Sequence, residues 1–97
     1  CGIVGYMGPK SLSKVLLTGL HRLEYRGYDS CGIAIKTRNG LEVFKTAGFV
    51  ERLDPKVPKM DGVQGIGHTR WATVGNPSIR NAHPHVDCSG KIASTLH

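Results

Sequence analysis

Long apolar runs are missing from this 97-residue chain: no stretch approaches the roughly 20 residues needed to cross a bilayer, and no charged-then-apolar leader opens it. The chain is therefore expected to avoid membranes and to reside in the cytoplasm. Acidic residues are also scarce, seven against 13 lysines and arginines, for a net charge of +6. The basic residues are scattered, however, and aromatics make up only 6% of the chain, so no dense basic run or aromatic ladder points to nucleic acid. Small anions or an acidic partner surface fit the imbalance as well. There are three cysteines, Cys1, Cys31 and Cys88, an odd number that does not suggest a disulfide framework, and Cys31 in an apolar run reads as a small buried residue. Repeats, low-complexity tracts and a dividing linker are absent. The length allows one small domain over residues 1–97, light for a complete enzyme.

What is present begins at the first residue, where Cys1 carries a thiol and an α-amine together, followed at once by the apolar run Gly2-Ile3-Val4-Gly5-Tyr6. α-Amino groups titrate at roughly 7.7–8.0 and thiols near about 8.5, so such an amine can take the proton of its own thiol near neutral pH. A following strand would hold the residue at a sheet end, and that order is what makes a nucleophile effective. A cloning or proteolytic boundary, or the lipid-bearing cysteine of a lipoprotein, also begins a chain in this way. The directly following strand argues against the lipid, since burying it would draw the lipid site into the fold.

Gly8-Pro9 ends the first run, and Ser11 is placed to cap a helix carrying Leu12, Val15, Leu16, Gly19, Leu20 and Leu23 at offsets of three and four, with Gly27 as its stop. Residues 31–37 and 41–46 are β-prone and flank Asn39-Gly40, a hairpin signal. A short helix is expected over 48–53, a loop over 54–61 and a strand over 62–70, followed by a long irregular stretch from Trp71 to His85 and a last hairpin over 86–94. A loop that long in so small a domain is more often functional than idle. The order fits an α+β layered fold.

Three clusters carry chemistry. Arg26-Gly27-Tyr28-Asp29-Ser30 lies between the helix and the second strand; Arg26 and Asp29 either pair with each other or with backbone, or they lie beside Cys1, where Arg26 would hold the reacting residue and lower its thiol pKa. Thr69-Arg70-Trp71-Ala72-Thr73 follows a buried strand, and its guanidinium and hydroxyls suit a carboxylate, unless Trp71 only caps the core with Arg70 covering it. His83-Pro84-His85 with Cys88 offers three metal-ligand types but no second correctly spaced pair, so no metal is expected.

These blocks, together with Leu23-Glu24-Tyr25 before Arg26 and Asn81-Ala82 before His83, closely resemble the amino-terminal glutaminase domain of the glutamine–fructose-6-phosphate aminotransferases, in family order and spacing over nearly the whole chain. The resemblance implies a type 2 glutamine amidotransferase domain with an amino-terminal-nucleophile hydrolase fold, an αββα sandwich of which about the first half is expected here. It implies that Cys1 attacks the side-chain amide of L-glutamine, with its amine as general base. Arg70 would grip the α-carboxylate, Thr73 and His83 would line the pocket, Trp71 would gate it, and Arg26 and Gly27 would support the thiol. No cofactor is implied. The ammonia would pass to a sugar-isomerising domain or a complementing chain, and a homo-oligomer is left open. Two departures stand out. Val74 replaces a family histidine, removing a polar pocket residue. Ser94-Thr95-Leu96-His97 stands where the family continues into an Asn-Gly oxyanion pair, so the chain alone is expected to be feebly active. The competing reading is a non-catalytic fragment that binds a partner.

Overall fold

Helix α1, Leu12–Leu23, forms where apolar residues recur every three to four positions, and it places Leu12, Leu16 and Leu20 in the core with no exposed surface. Burying each such leucine contributes about 1.5–3 kcal/mol. The computed structural model describes residues 1–60 and 62–97; Asp61, the end of the loop expected over 54–61, lies outside the described residues. Ser11 occupies the N-cap position, but it acts through its backbone: its carbonyl accepts the Val15 N–H at 3.1 Å, while its side-chain oxygen makes no capping bond. The helix does not stop directly at Gly27. It tightens into a 3-10 turn, Glu24–Arg26, closed by the Gly27 N–H on the Glu24 carbonyl.

Strands β1 (Gly2–Met7), β2 (Ser30–Thr37), β3 (Gly40–Ala47) and β4 (Gln64–Arg70) form one antiparallel sheet in the order β1-β4-β2-β3. The hairpin between β2 and β3 closes at Thr37↔Gly40, with Arg38-Asn39 as its loop and Gly40 at a left-handed φ of 105°, the conformation that makes glycine the natural residue there. Along β4 the residues alternate. Gly65, Gly67 and Thr69 face α1, and the helix lies so close that a Cβ on Gly65 would come within 2.7 Å of Leu16. Ile33 and Ile35 on β2, with Leu53, Val50 and Val57, complete the core under the helix. Cys31 is buried there, as its sequence context suggested.

The short helix expected over 48–53 takes the 3-10 form, and the loop expected over 54–61 opens with a turn of its own. Two 3-10 turns, Val50–Arg52 and Asp54–Lys56, occupy the segment, and the first is tied to the end of α1 by the Val50 N–H on Glu24 Oε2 at 2.7 Å. The last hairpin is reduced to two residues a side, β5 (His85–Val86) with β6 (Ala93–Ser94). Its turn is organised by the Asp87 carboxylate, which accepts the N–H groups of Ser89, Lys91 and Ile92. The second face of the main sheet, away from α1, is covered only in part. There a shallow cavity of about 410 Å³ is lined by Gly5, Met7, Ala34, Leu41 and Ile66 of the main sheet and by Ala93 of β6. The layering is thus helix, sheet and small second sheet, the α+β order read from the sequence.

Candidate active site

Cys1 stands one residue before β1 and is held by its backbone at both ends. Its amino group donates to the Arg26 carbonyl at 2.9 Å, and Arg26 Nε donates back to the Cys1 carbonyl at 3.0 Å. This reciprocal pair exists because the 3-10 turn after α1 carries Arg26 back to the sheet end where β1 begins. One step along the register from Gly2↔Thr69, Cys1 lies opposite the end of β4, where Arg70 and Trp71 leave the sheet. The Trp71 N–H donates to Cys1 Sγ at 3.3 Å, and Sγ lies 3.8 Å from the Trp71 carbonyl oxygen. An amide N–H aimed at sulfur favours the thiolate, whereas the carbonyl can accept the proton of the thiol.

Gly27 is buried against this strand exit. A Cβ there would lie 2.5 Å from the Arg70 carbonyl carbon and 2.8 Å from the Trp71 nitrogen, so the backbones of 26–29 and 70–72 touch where any side chain would part them. Asp29 adds polar contacts: its N–H donates to the Arg70 carbonyl at 3.1 Å, and its Oδ2 accepts the Ala72 N–H at 2.8 Å. The internal Arg26–Asp29 pair that the sequence left open is not formed; each side chain is spent on the site instead.

Arg70 is 7% exposed, and its guanidinium bonds to backbone carbonyls of the next loop: Nη1 to Asn76 at 3.3 Å, Nη2 to Gly75 at 3.4 Å and to Val74. In this state the fork orders the loop 74–76. Val74 serves through its carbonyl, and its side chain is 84% exposed. Thr73 is exposed on the same loop. Trp71 does not cap the core. Its indole is half exposed and meets Tyr28 edge-on at 5.7 Å, and Tyr28 stacks on Phe49 at 5.6 Å.

His83 belongs to a second group on the same sheet face. Its carbonyl rests on Gly32 of β2, and its ring stacks on His68 at 4.3 Å and meets His85 at 4.4 Å. The backbone of Leu96 bridges the first two, its N–H donating to His83 Nδ1 at 3.3 Å and its carbonyl accepting from His68 Nε2 at 2.7 Å. Burial, then the neighbouring His68, His85, Arg70 and Lys45, pushes the His83 imidazole down to about 4. The pair is neutral at physiological pH, with His83 an acceptor. Among the described residues no three His, Cys, Asp or Glu side chains converge as a metal site; Cys88 sits exposed on the turn after β5.

The structure therefore gathers Cys1, Arg26, Gly27, Arg70 and Trp71 at one sheet end and puts His83 in the adjoining histidine stack. From sequence, Asp29 is placed beside Cys1 without a task of its own, and His68 has no expected role. The available signal for His68 was its i, i+2 relation to Arg70 on a strand, which puts both side chains on one face. For Asp29 there was none beyond its nearness to Arg26. As a chemical device, the site offers a sulfur nucleophile, an amine on the same residue and a backbone N–H donor to the sulfur.

No protein-family model matches the chain. It is 56% identical over 95 residues to the isomerizing glutamine–fructose-6-phosphate aminotransferase of Thermus thermophilus, covering 96% of this chain. The enzymes of the same name from Streptomyces coelicolor and Pyrococcus horikoshii are 52% and 53% identical over 96 and 94 residues. The chain spans 16% of the length of these relatives. Among solved structures, the glutamine phosphoribosylpyrophosphate amidotransferase of B. subtilis, complexed with ADP and GMP, superposes with a TM-score of 0.74 at 29% identity, over 88% of this chain and 18% of that one. A structure described as the allosteric regulatory enzyme of purine biosynthesis gives 0.78 at 30% identity, over 89% and 19%.

Proposed function

We propose that this chain, which is homologous to the amino-terminal glutaminase region of the glutamine–fructose-6-phosphate aminotransferase family, is part of a type 2 glutamine amidotransferase domain that hydrolyses L-glutamine to glutamate and ammonia through Cys1. The observation that carries the reading is the seating of Cys1: a reciprocal backbone–guanidinium clamp with Arg26 fixes it while its sulfur receives the Trp71 N–H. The amine takes the thiol proton, and the thiolate adds to the side-chain amide carbon. The carbon–nitrogen bond then breaks, and ammonia leaves with the proton returned by the amine. Water, deprotonated by the same amine, attacks the thioester, releasing glutamate and restoring the thiol.

The remaining roles are those that the family resemblance implies. Arg70 exchanges its loop carbonyls for the substrate α-carboxylate, a stronger, charge-assisted partner. Thr73 and the neutral His83 line the pocket, Trp71 gates it, and Arg26 and Gly27 keep the thiol in register. The ammonia is passed to a sugar-isomerising domain, where fructose 6-phosphate accepts it in the synthesis of glucosamine 6-phosphate. The cytoplasm, which keeps thiols reduced, suits a chain with a reactive cysteine. None of its helices is long and apolar enough to cross a membrane, among the described residues. The test is mass spectrometry after treatment with a diazoketone analogue of glutamine. A stoichiometric adduct on Cys1 supports the reaction; an unmodified Cys1 in folded protein leaves a fragment that only binds.

A further inference from the structure

Two consecutive peptide groups touch the sulfur of Cys1, each by one end. In the group joining Arg70 to Trp71 the N–H faces Sγ at 3.3 Å; in the group joining Trp71 to Ala72 the carbonyl faces it at 3.8 Å. The opposite end of each group is bound by one residue. Asp29 gives its N–H to the Arg70 carbonyl at 3.1 Å and takes the Ala72 N–H on Oδ2 at 2.8 Å. Because a trans peptide is planar, with N–H and C=O pointing opposite ways, holding one end of the group aims the other. Asp29 is itself anchored, its carbonyl accepting the Gly48 N–H at 2.9 Å. Its nearer contacts are thus with the groups that surround the thiol, not with the thiol.

We propose that Asp29 is a positioning residue for the nucleophile: it sets the planes of the two peptide groups that present an N–H and a carbonyl to Cys1 Sγ. The Asp29 backbone N–H holds the first group and its carboxylate the second, and the carboxylate does so by geometry and not by its charge. A negative group near a thiol opposes its ionisation, so an electrostatic role would work against reactivity. The role deepens the glutaminase reading and rests on it for its purpose, yet it concerns the thiol alone and can be measured without glutamine.

The experiment follows iodoacetamide alkylation of Cys1 by peptide mass mapping in the full chain, from about pH 5 to about pH 10, so that thiolate fraction and intrinsic rate separate. Asp29→Asn keeps an acceptor for the Ala72 N–H and removes the charge; its plateau rate is expected within about threefold of the parent. Asp29→Ala removes both and is expected about tenfold slower, with the alkylation profile moved to higher pH. Asp29→Glu keeps the charge but shifts the oxygen by a methylene, so it too should be slow; it carries the test if the alanine variant does not fold. Equal rates for Asn and Ala variants, an undiminished rate in Asp29→Glu, or a lower melting temperature in Asp29→Ala with an unchanged rate profile each overturn the proposal. Failure of the glutamine analogue to label Cys1 while this ordering holds would remove the glutaminase reading and leave the clasp standing.

Discussion

Replacing Gly27 by alanine should damage the site through contact alone. Its φ is 179°, extended backbone that any residue adopts, so no torsional strain enters. The new methyl, however, would sit 2.5 Å from the Arg70 carbonyl carbon, 2.7 Å from its oxygen and 2.8 Å from the Trp71 nitrogen, where ordinary contact begins at 3.4 Å. The partners are backbone atoms at the end of a paired strand, which no rotamer change can move. Segment 26–29 must therefore separate from 70–72 by roughly 0.9 Å, lengthening both Asp29 contacts, which start at 3.1 and 2.8 Å. Overpacking of this kind costs about 1–3 kcal/mol, and at about 2 kcal/mol the melting temperature of a domain this size falls by roughly 8–16 °C. Because the same displacement carries the Trp71 N–H away from the sulfur, Cys1 alkylation should slow by about tenfold or more in protein that is still folded. Gly5→Ala is the control: on the same sheet its methyl would meet only the Gly65 carbonyl oxygen, at 4.0 Å, and stability should hold or rise by about 0.5 kcal/mol. Urea unfolding with the alkylation assay decides. A Gly27→Ala protein as stable and as reactive as the parent would refute the close-approach argument.

Three further outcomes are expected. Arg26→Ala removes the guanidinium bond to the Cys1 carbonyl and should slow Cys1 modification by about tenfold while changing stability by less than about 1 kcal/mol, since Arg26 is exposed; rate and unfolding free energy on one preparation separate the two. Cys31, its thiol pushed up to about 12 mainly by burial, should resist alkylation in native protein while exposed Cys88 reacts, and should become reactive only on unfolding. The His83 imidazole, at about 4 in the fold against 6.5 for the free group, binds its proton more readily when unfolded. Its contribution to stability is therefore complete above about pH 6.5 and is lost as pH falls toward about 4, on the order of 1–2 kcal/mol after discounting for partial exposure. Chemical denaturation across that range should show the slope, and His83→Gln should flatten it.

The elements legible in the sequence were those whose signal is local. The 3.6-residue spacing of Leu12, Leu16 and Leu20 gave α1 its bounds, and Asn39-Gly40 located the hairpin to within a residue. Segment 48–56 is legible only in part, because its form is not decided locally: the short helix over 48–53 is a 3-10 turn whose Val50 N–H is bound by the Glu24 carboxylate of another element, and a second 3-10 turn, Asp54–Lys56, stands at the start of the expected loop. Likewise, Ser11 was correctly placed as the N-cap residue, yet whether its hydroxyl bonds to the first turn depends on a side-chain torsion that spacing does not encode.

The site divides along the same line. Cys1, Arg70 and His83 announce themselves by residue type, because a thiol beside an amine, a guanidinium at a strand exit and an imidazole on a stiff loop each carry chemistry that can be named from sequence. What the sequence did not show is that the atoms nearest the sulfur are backbone. Trp71 was noticed for its indole, but its N–H and carbonyl face Sγ, and every non-proline residue has those groups. Their function comes from being aimed, and the aiming is done by Gly27, through the side chain it lacks, and by Asp29, through bonds to residues 41 and 43 positions away. Such a role leaves a mark in sequence only as an unexplained glycine and an unexplained carboxylate in a segment longer than its turn requires. At this site the residues whose type names a chemistry are therefore easier to read than those that hold them, and substitutions at Gly27 and Asp29 probe the arrangement more sharply than removal of the Cys1 thiol.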